Sequence, residues 1–235
     1  MLLLAFETSA KAASVALFDG RKLLAEHYHN SGLTHSQTVM VMAEDLLKQC
    51  GLEPDAVEGV AVAAGPGSFT GIRIGMAAAK GFAWGRQIPL WGVSTLEAMA
   101  LGLGITEGIV CPVMDARRSQ VYNGLFRFSC EKCTRIREDR AISLKDLGED
   151  LQNFQETVFL VGDGANLCYN TLLESVPQLV LPPEHRLHQR AAGVGLAALV
   201  QMGRGEAGNA AGLTPNYLRL SQAERERLER EQKTE

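Results

Sequence analysis

Histidine is scarce in this chain, 5 among 235 residues, and its placing excludes chemistry. No His-Glu-x-x-His occurs and no two histidines stand four apart, so no helix offers the paired imidazoles of a zinc hydrolase. The nucleophile elbow Gly-x-Ser-x-Gly is missing, as is the Lys that would turn the main glycine-rich loop into a Walker A motif. A basic excess is missing too: Lys and Arg number 23 against 27 acids, a net charge of −4, which suits no stand-alone nucleic-acid binder built on clustered cations. The longest charge-free run, Gly59 to Ile72, has 14 residues and carries Gly-Pro-Gly, too short to span a bilayer. Met-Leu-Leu-Leu-Ala-Phe-Glu7 has no basic flank and meets an acid at once, so no export signal is expected. The cysteines, Cys50, Cys111, Cys130, Cys133 and Cys168, are odd in number and read as free thiols in a reducing cytoplasm. Cys130-Glu-Lys-Cys133 lacks the second pair that a structural zinc site wants.

What is there is the composition of a folded protein, 46% hydrophobic and 21% charged. At about 150 residues per domain the length allows one large domain or two small ones. Residues 2–7, 14–18 and 22–29 read as a strand meander with a hairpin at Asp19-Gly20. Thr34-His-Ser-Gln37 predicts a capping box opening a helix to about Cys50. Val57–Ala64 reads as a strand buried on both faces, followed by a turn over Gly65–Gly71 and a small-residue helix, Ile72–Trp84. A strand at Ile88–Val93 and a capping box at Ser94-Thr-Leu-Glu97 complete the unit. After Gly102, Gly104 and Gly108 the pattern replays, with strands at 109–116, 119–128, 134–142 and 157–161. Helices follow from Ala165, over Gln189–Met202 and over Ser221–Gln232. Two rounds of meander followed by alternating helix and strand predict a duplicated α/β architecture. Its expected divisions are 1–104, 105–212 and a tail over 213–235 that packs back on the first half.

Three places could carry chemistry. Ala64-Gly-Pro-Gly-Ser-Phe-Thr-Gly71 lies between a strand and a helix start, where backbone N–H groups can hold an anion; equally, its glycines serve a tight turn and close packing. Glu7, Thr8 and Ser9 end the first strand, so with Gly65, Gly67 and Ser68 they are candidate phosphate contacts. Asp115 and Asp163 occupy turns in the second half, and catalysis would require these groups to converge. The helix after Thr34 is more telling. Val39, Met40, Met42, Ala43, Leu46, Leu47 and Cys50 fill an arc of about 160°, wider than one core needs, and Val41 widens it further. The excess fits either a partner's helices or a broader core shared with the small-residue helix beyond Gly71.

Glu7-Thr-Ser9, Ser14-Val-Ala-Leu17, Gly65-Pro-Gly-Ser-Phe-Thr-Gly-Ile-Arg-Ile-Gly75, Asp115-Ala-Arg-Arg118, Gly162-Asp-Gly164 and Pro215-Asn-Tyr-Leu-Arg219 together resemble the bacterial TsaB (YeaZ) family, tRNA threonylcarbamoyladenosine biosynthesis proteins, over essentially the whole chain. That resemblance implies an actin/Hsp70/sugar-kinase-like (ASKHA) fold of two ribonuclease-H-like halves. It implies a cytoplasmic, non-catalytic partner of the related subunit TsaD, in a complex with the ATPase TsaE that modifies the adenosine beside the anticodon of ANN-decoding tRNAs. ATP or ADP and a metal ion then enter through the partners, tRNA is met indirectly, and the isolated chain forms a homodimer. Where the catalytic relative has a metal-binding His pair, this chain has Thr95 and Met99, which cannot hold a hard metal. The implied docking residues are His35, Gln37, Met40, Val41, Glu44 and Leu47 on one helix with Arg73, Met76 and Lys80 on the next. The rival classes are an active enzyme of the same fold, phosphotransferase or metallopeptidase-like, and a nucleotide-sensing regulator.

Overall fold

The computed structural model describes residues 1–130 and 132–219, so the helix expected over Ser221–Gln232 and Glu131 of the cysteine pair's loop lie outside the described residues. The first half is a meander of β1 (Leu2–Glu7), β2 (Ala13–Asp19) and β3 (Lys22–His29), followed by α1 (His35–Gln49), β4 (Gly59–Gly65), α2 (Phe69–Arg86), β5 (Leu90–Ser94) and α3 (Thr95–Leu103). The second half replays it with β6 (Gly108–Asp115), β7 (Gln120–Ser129), β8 (Lys132–Ser143), α4 (Leu144–Leu151), β9 (Val158–Val161), α5 (Ala165–Leu172) and β10 (Leu179–Val180). Helix α6 (Ala191–Gly203) follows. The sheets share one plan. Orders β3-β2-β1-β4-β5 and β8-β7-β6-β9-β10 each join an antiparallel meander to parallel strands.

Strand alternation divides the first core. Leu4, Phe6, Val15, Leu17, Val60 and Val62 face outward under α1 and α2. Leu3, Ala5, Ala16, Phe18, Ala61 and Ala63 face inward, where their mostly small side chains admit α6. Helix α3 packs against α6 on one side and against β6 and β7 on the other, through Leu96, Met99, Ala100 and Leu103, so these two helices join the sheets. The outer face of the second sheet is closed by α4 and α5 over Ile109, Val113, Val121 and Leu160. Helix α6, which falls within 105–212, therefore returns to the first sheet. Residues 204–219 run on from it, staying on the first sheet as far as Asn216: Trp91 Nε1 donates to the Glu206 carbonyl at 2.9 Å, and Asn216 N to the Ala64 carbonyl at 2.7 Å. They form a strap beside β5 and over the end of β4. Among the described residues no helix is long and apolar enough to cross a membrane.

Two local expectations are corrected. Thr34 stands at the N-cap of α1 but its side chain caps nothing, so that capping box does not form. Helix α2 starts at Phe69 rather than Ile72, because Ser68 Oγ accepts from Gly71 N at 3.2 Å and draws Gly71 into the first turn. The second box behaves as its spacing predicts, with Ser94 Oγ accepting from Glu97 N at 3.1 Å.

Candidate functional site

The fold brings Glu7-Thr8-Ser9 against the glycine-rich loop, but the two segments fill each other. Ser68 N donates to the Ser9 carbonyl at 2.7 Å and Thr8 Oγ1 to the Gly71 carbonyl at 2.8 Å. A β-carbon at Gly67 would lie 2.5 Å from the Ser9 carbonyl oxygen; one at Gly71 would overlap the Thr8 carbonyl, and one at Gly75 the Thr8 hydroxyl. Glu7, Thr8, Ser9 and Gly65 are buried, and the Ser68 hydroxyl is spent as a cap. The glycine spacing thus serves close packing of α2 on the end of β1. The candidate phosphate contacts are together, yet the Ser68 and Gly71 N–H groups and the space beside Gly67 and Gly71 are taken by the chain itself.

The acids do converge where the two halves meet. Glu7, 1% exposed, accepts from Ser9 N at 2.6 Å; burial pushes its carboxyl up to about 7, against hydrogen bonds from Ser9 and Thr8, and Asp163 of the other half adds to the rise. Asp163, in the β9–α5 turn, is itself raised by burial, with Asp115 adding repulsion; its Oδ1 accepts from Asp115 N at 3.4 Å. Among the described residues no three His, Cys, Asp or Glu side chains gather as metal ligands. A carboxyl raised on folding stabilises the folded state fully below its usual 4.5, and that contribution is lost as pH rises through about 7. Glu7→Gln should therefore match the parent near pH 4.5 and exceed it at pH 8 by about 2–3 kcal/mol, read by urea unfolding. Parallel stability curves across that window would show that Glu7 does not take up a proton on folding.

The outer face of the first half is more open. On α1, Gln37, Met40, Val41 and Glu44 are exposed, Met40 by 42% and Val41 by 55%. On α2, Arg73, Ala77, Gly81 and Trp84 are exposed; Trp84, at 71%, is the most exposed large hydrophobic residue described. Above Gly81 and Gly85 a β-carbon would meet nothing within 4 Å. Two implied docking residues are corrected. Leu47 belongs to the core under α1, and Met76 is buried with Ala64, Ile72 and Leu213. Most of the broad apolar arc, Val39, Met42, Ala43, Leu46 and Leu47, is likewise the chain's own core. Lys80 is half-buried, and His35 is held by a 2.7 Å contact between Nε2 and the Ala10 carbonyl oxygen. Trp84 had no place among the expected contacts, although a bulky residue flanked by Gly81 and Gly85 was the available signal. Thr95 and Met99 lie buried on α3 between the sheets.

The family described as TsaD, tRNA N6-adenosine threonylcarbamoyltransferase, matches residues 24–226. The tRNA threonylcarbamoyladenosine biosynthesis protein TsaB of Bacillus subtilis is 32% identical over 231 residues, 97% of this chain and 99% of that protein. The structure of a Pseudomonas aeruginosa protein with similarity to peptidase YeaZ superposes with a TM-score of 0.77 at 28% identity, covering 93% of this chain and 99% of the other. Component A of the Acidaminococcus fermentans (R)-2-hydroxyglutaryl-CoA dehydratase superposes with a TM-score of 0.52 at 10% identity, covering 86% and 99%, a likeness of fold alone. With the duplicated sheets, these likenesses establish the actin/Hsp70/sugar-kinase-like architecture. A match in sequence over nearly the full length of both chains carries more than fold: this chain belongs to the TsaB (YeaZ) family of tRNA threonylcarbamoyladenosine biosynthesis proteins.

Proposed function

We propose that the chain is a non-catalytic scaffold that docks the catalytic paralogue TsaD through the outer face of α1 and α2. The observation that carries this reading is the exposed apolar set on two neighbouring helices, Met40 and Val41 on α1 with Ala77, Gly81 and Trp84 on α2. Small residues on α2 let a partner helix approach, and Trp84 offers the kind of anchor that dominates interfaces. Thr95 and Met99 supply no imidazole, and the glycine loop is packed by Thr8 and Ser9, so ATP, ADP and metal chemistry belong to TsaD and TsaE in the assembled cytoplasmic complex. Without TsaD the same face pairs two copies of this chain, and homodimer and heterodimer compete.

The test is to assay the purified chain alone and with untagged TsaD. Alone it should neither hydrolyse ATP nor modify tRNA above a matched blank, and with its net charge of −4 it should bind tRNA only weakly. Added to TsaD it should co-purify and raise modification. ATP turnover by the isolated chain would overturn the scaffold reading in favour of an active enzyme.

A further inference from the structure

The turn between β6 and β7 carries an unusual backbone. Arg117, Arg118 and Ser119 stand in succession at φ 62°, 57° and 55°, the left-handed region that residues with a β-carbon occupy at a steric cost. The surroundings hold them there: Arg117 N donates to Asp115 Oδ1 at 2.7 Å, and Ala116 N to the Gln120 carbonyl at 3.0 Å. Glycine or asparagine would relieve such a turn, yet the sequence places two adjacent arginines at its tip. Both are exposed, and among the described residues neither guanidinium has a hydrogen-bond or ion-pair partner.

The strap brings two more arginines to the same rim. Arg219 Nη1 donates to the Ala116 carbonyl at 2.8 Å, beside the turn. Two residues earlier, Tyr217 stacks on Phe69 with ring centroids 4.2 Å apart and accepts from Arg73 Nε at 2.8 Å. The Arg73 guanidinium lies 4.0 Å over the Phe69 ring. Two residues of chain reach about 7 Å at most, so the turn, the strap and the start of α2 form one continuous edge. Among the described residues no carboxylate pairs with any of the four arginines, and the nearby Asp115 bonds backbone.

We infer that this rim, Arg73, Arg117, Arg118 and Arg219 around the Phe69–Tyr217 stack, is a contact surface for the phosphate backbone of single-stranded RNA. All four cations are Arg, whose planar fork grips phosphate through two parallel hydrogen bonds where Lys offers a point charge. Aromatic faces beside a guanidinium are the further ingredient of single-strand binding, because any unpaired base can stack there. Among the described residues, no exposed large hydrophobic side chain falls within 69–73, 115–119 or 217–219. The inference rests on the proposed function only in taking RNA as the polyanion. It places on this subunit a few of the phosphate contacts that the acidic chain as a whole does not favour.

The test uses the full chain, a labelled single-stranded RNA oligonucleotide and fluorescence anisotropy between about 50 and 200 mM salt. Arg117→Ala with Arg118→Ala should lower affinity at least tenfold at the low-salt end. It should also reduce the slope of log affinity on log salt by about 1.4, the share of two phosphates on a single strand. Lys22→Ala with Lys132→Ala, exposed elsewhere, should change neither. Arg117→Lys with Arg118→Lys should retain most of the salt slope while losing affinity. An unchanged slope in a double alanine variant with a normal thermal melt would overturn the inference, as would tight binding of ATP lost in that variant with no affinity for RNA. The slope is read without TsaD, so this inference and the docking proposal stand or fall separately.

Discussion

A methyl group added at Gly71 is expected to cost the chain much of its stability. The new β-carbon would overlap the Thr8 carbonyl oxygen, a backbone atom at the end of β1 that no rotamer change can move aside. Overpacking of this kind costs about 1–3 kcal/mol, and rigid backbone on both sides puts Gly71→Ala at the upper end. For a chain of this length that is a fall in melting temperature of about 6–12 °C. Gly81→Ala, at an exposed site on the same helix where a β-carbon meets nothing within 4 Å, should hold or slightly raise the melt. Equal melts for the two variants would mean that the loop is a looser cradle than its contacts with Thr8 and Ser9 describe.

That glycine also shows where reading the sequence stopped. The meander, the buried β4 run and the second round of strands were legible, because period-two burial and the Asp19-Gly20 hairpin are local signals. The start of α2 was not. Gly71 looks like a turn residue in the chain, and what requires glycine there is Thr8, which bonds Gly71 from 63 residues away. The return of α6 to the first sheet was hidden for the same reason: the partner of Gly195 is the Phe18 ring. On α1 the width of the apolar arc was legible but not its division. Leu46 and Leu47 are core only because α2 and β2 lie where they do. Asp115 and Asp163 read as isolated turn residues, and only the packing of the two halves brings Asp163 within electrostatic reach of Glu7.

The same division makes the second large prediction a contrast between two methionines. Met76, 5% exposed beside Ile72 and Leu213, should not tolerate aspartate: an uncompensated buried charge costs about 3–5 kcal/mol and should unfold much of the protein. Met40, at 42% exposure on α1, should accept aspartate with an unchanged melt. The cost of Met40→Asp should instead fall on association. Set within an apolar contact and left unpaired, the charge should weaken binding of the catalytic paralogue by about a hundredfold or more and dissolve the homodimer as well. Charge on an exposed helix position away from the apolar set, as in Gln49→Asp, should do neither.

Sedimentation velocity of the chain with TsaD, for the parent and for Met40→Asp, tests the docking face most directly. The expected result is a heterodimer peak for the parent and separate subunits for Met40→Asp at the same micromolar concentration, with identical circular dichroism melts for the two chains. A heterodimer undiminished by Met40→Asp would contradict the assignment of the α1–α2 face to the catalytic paralogue.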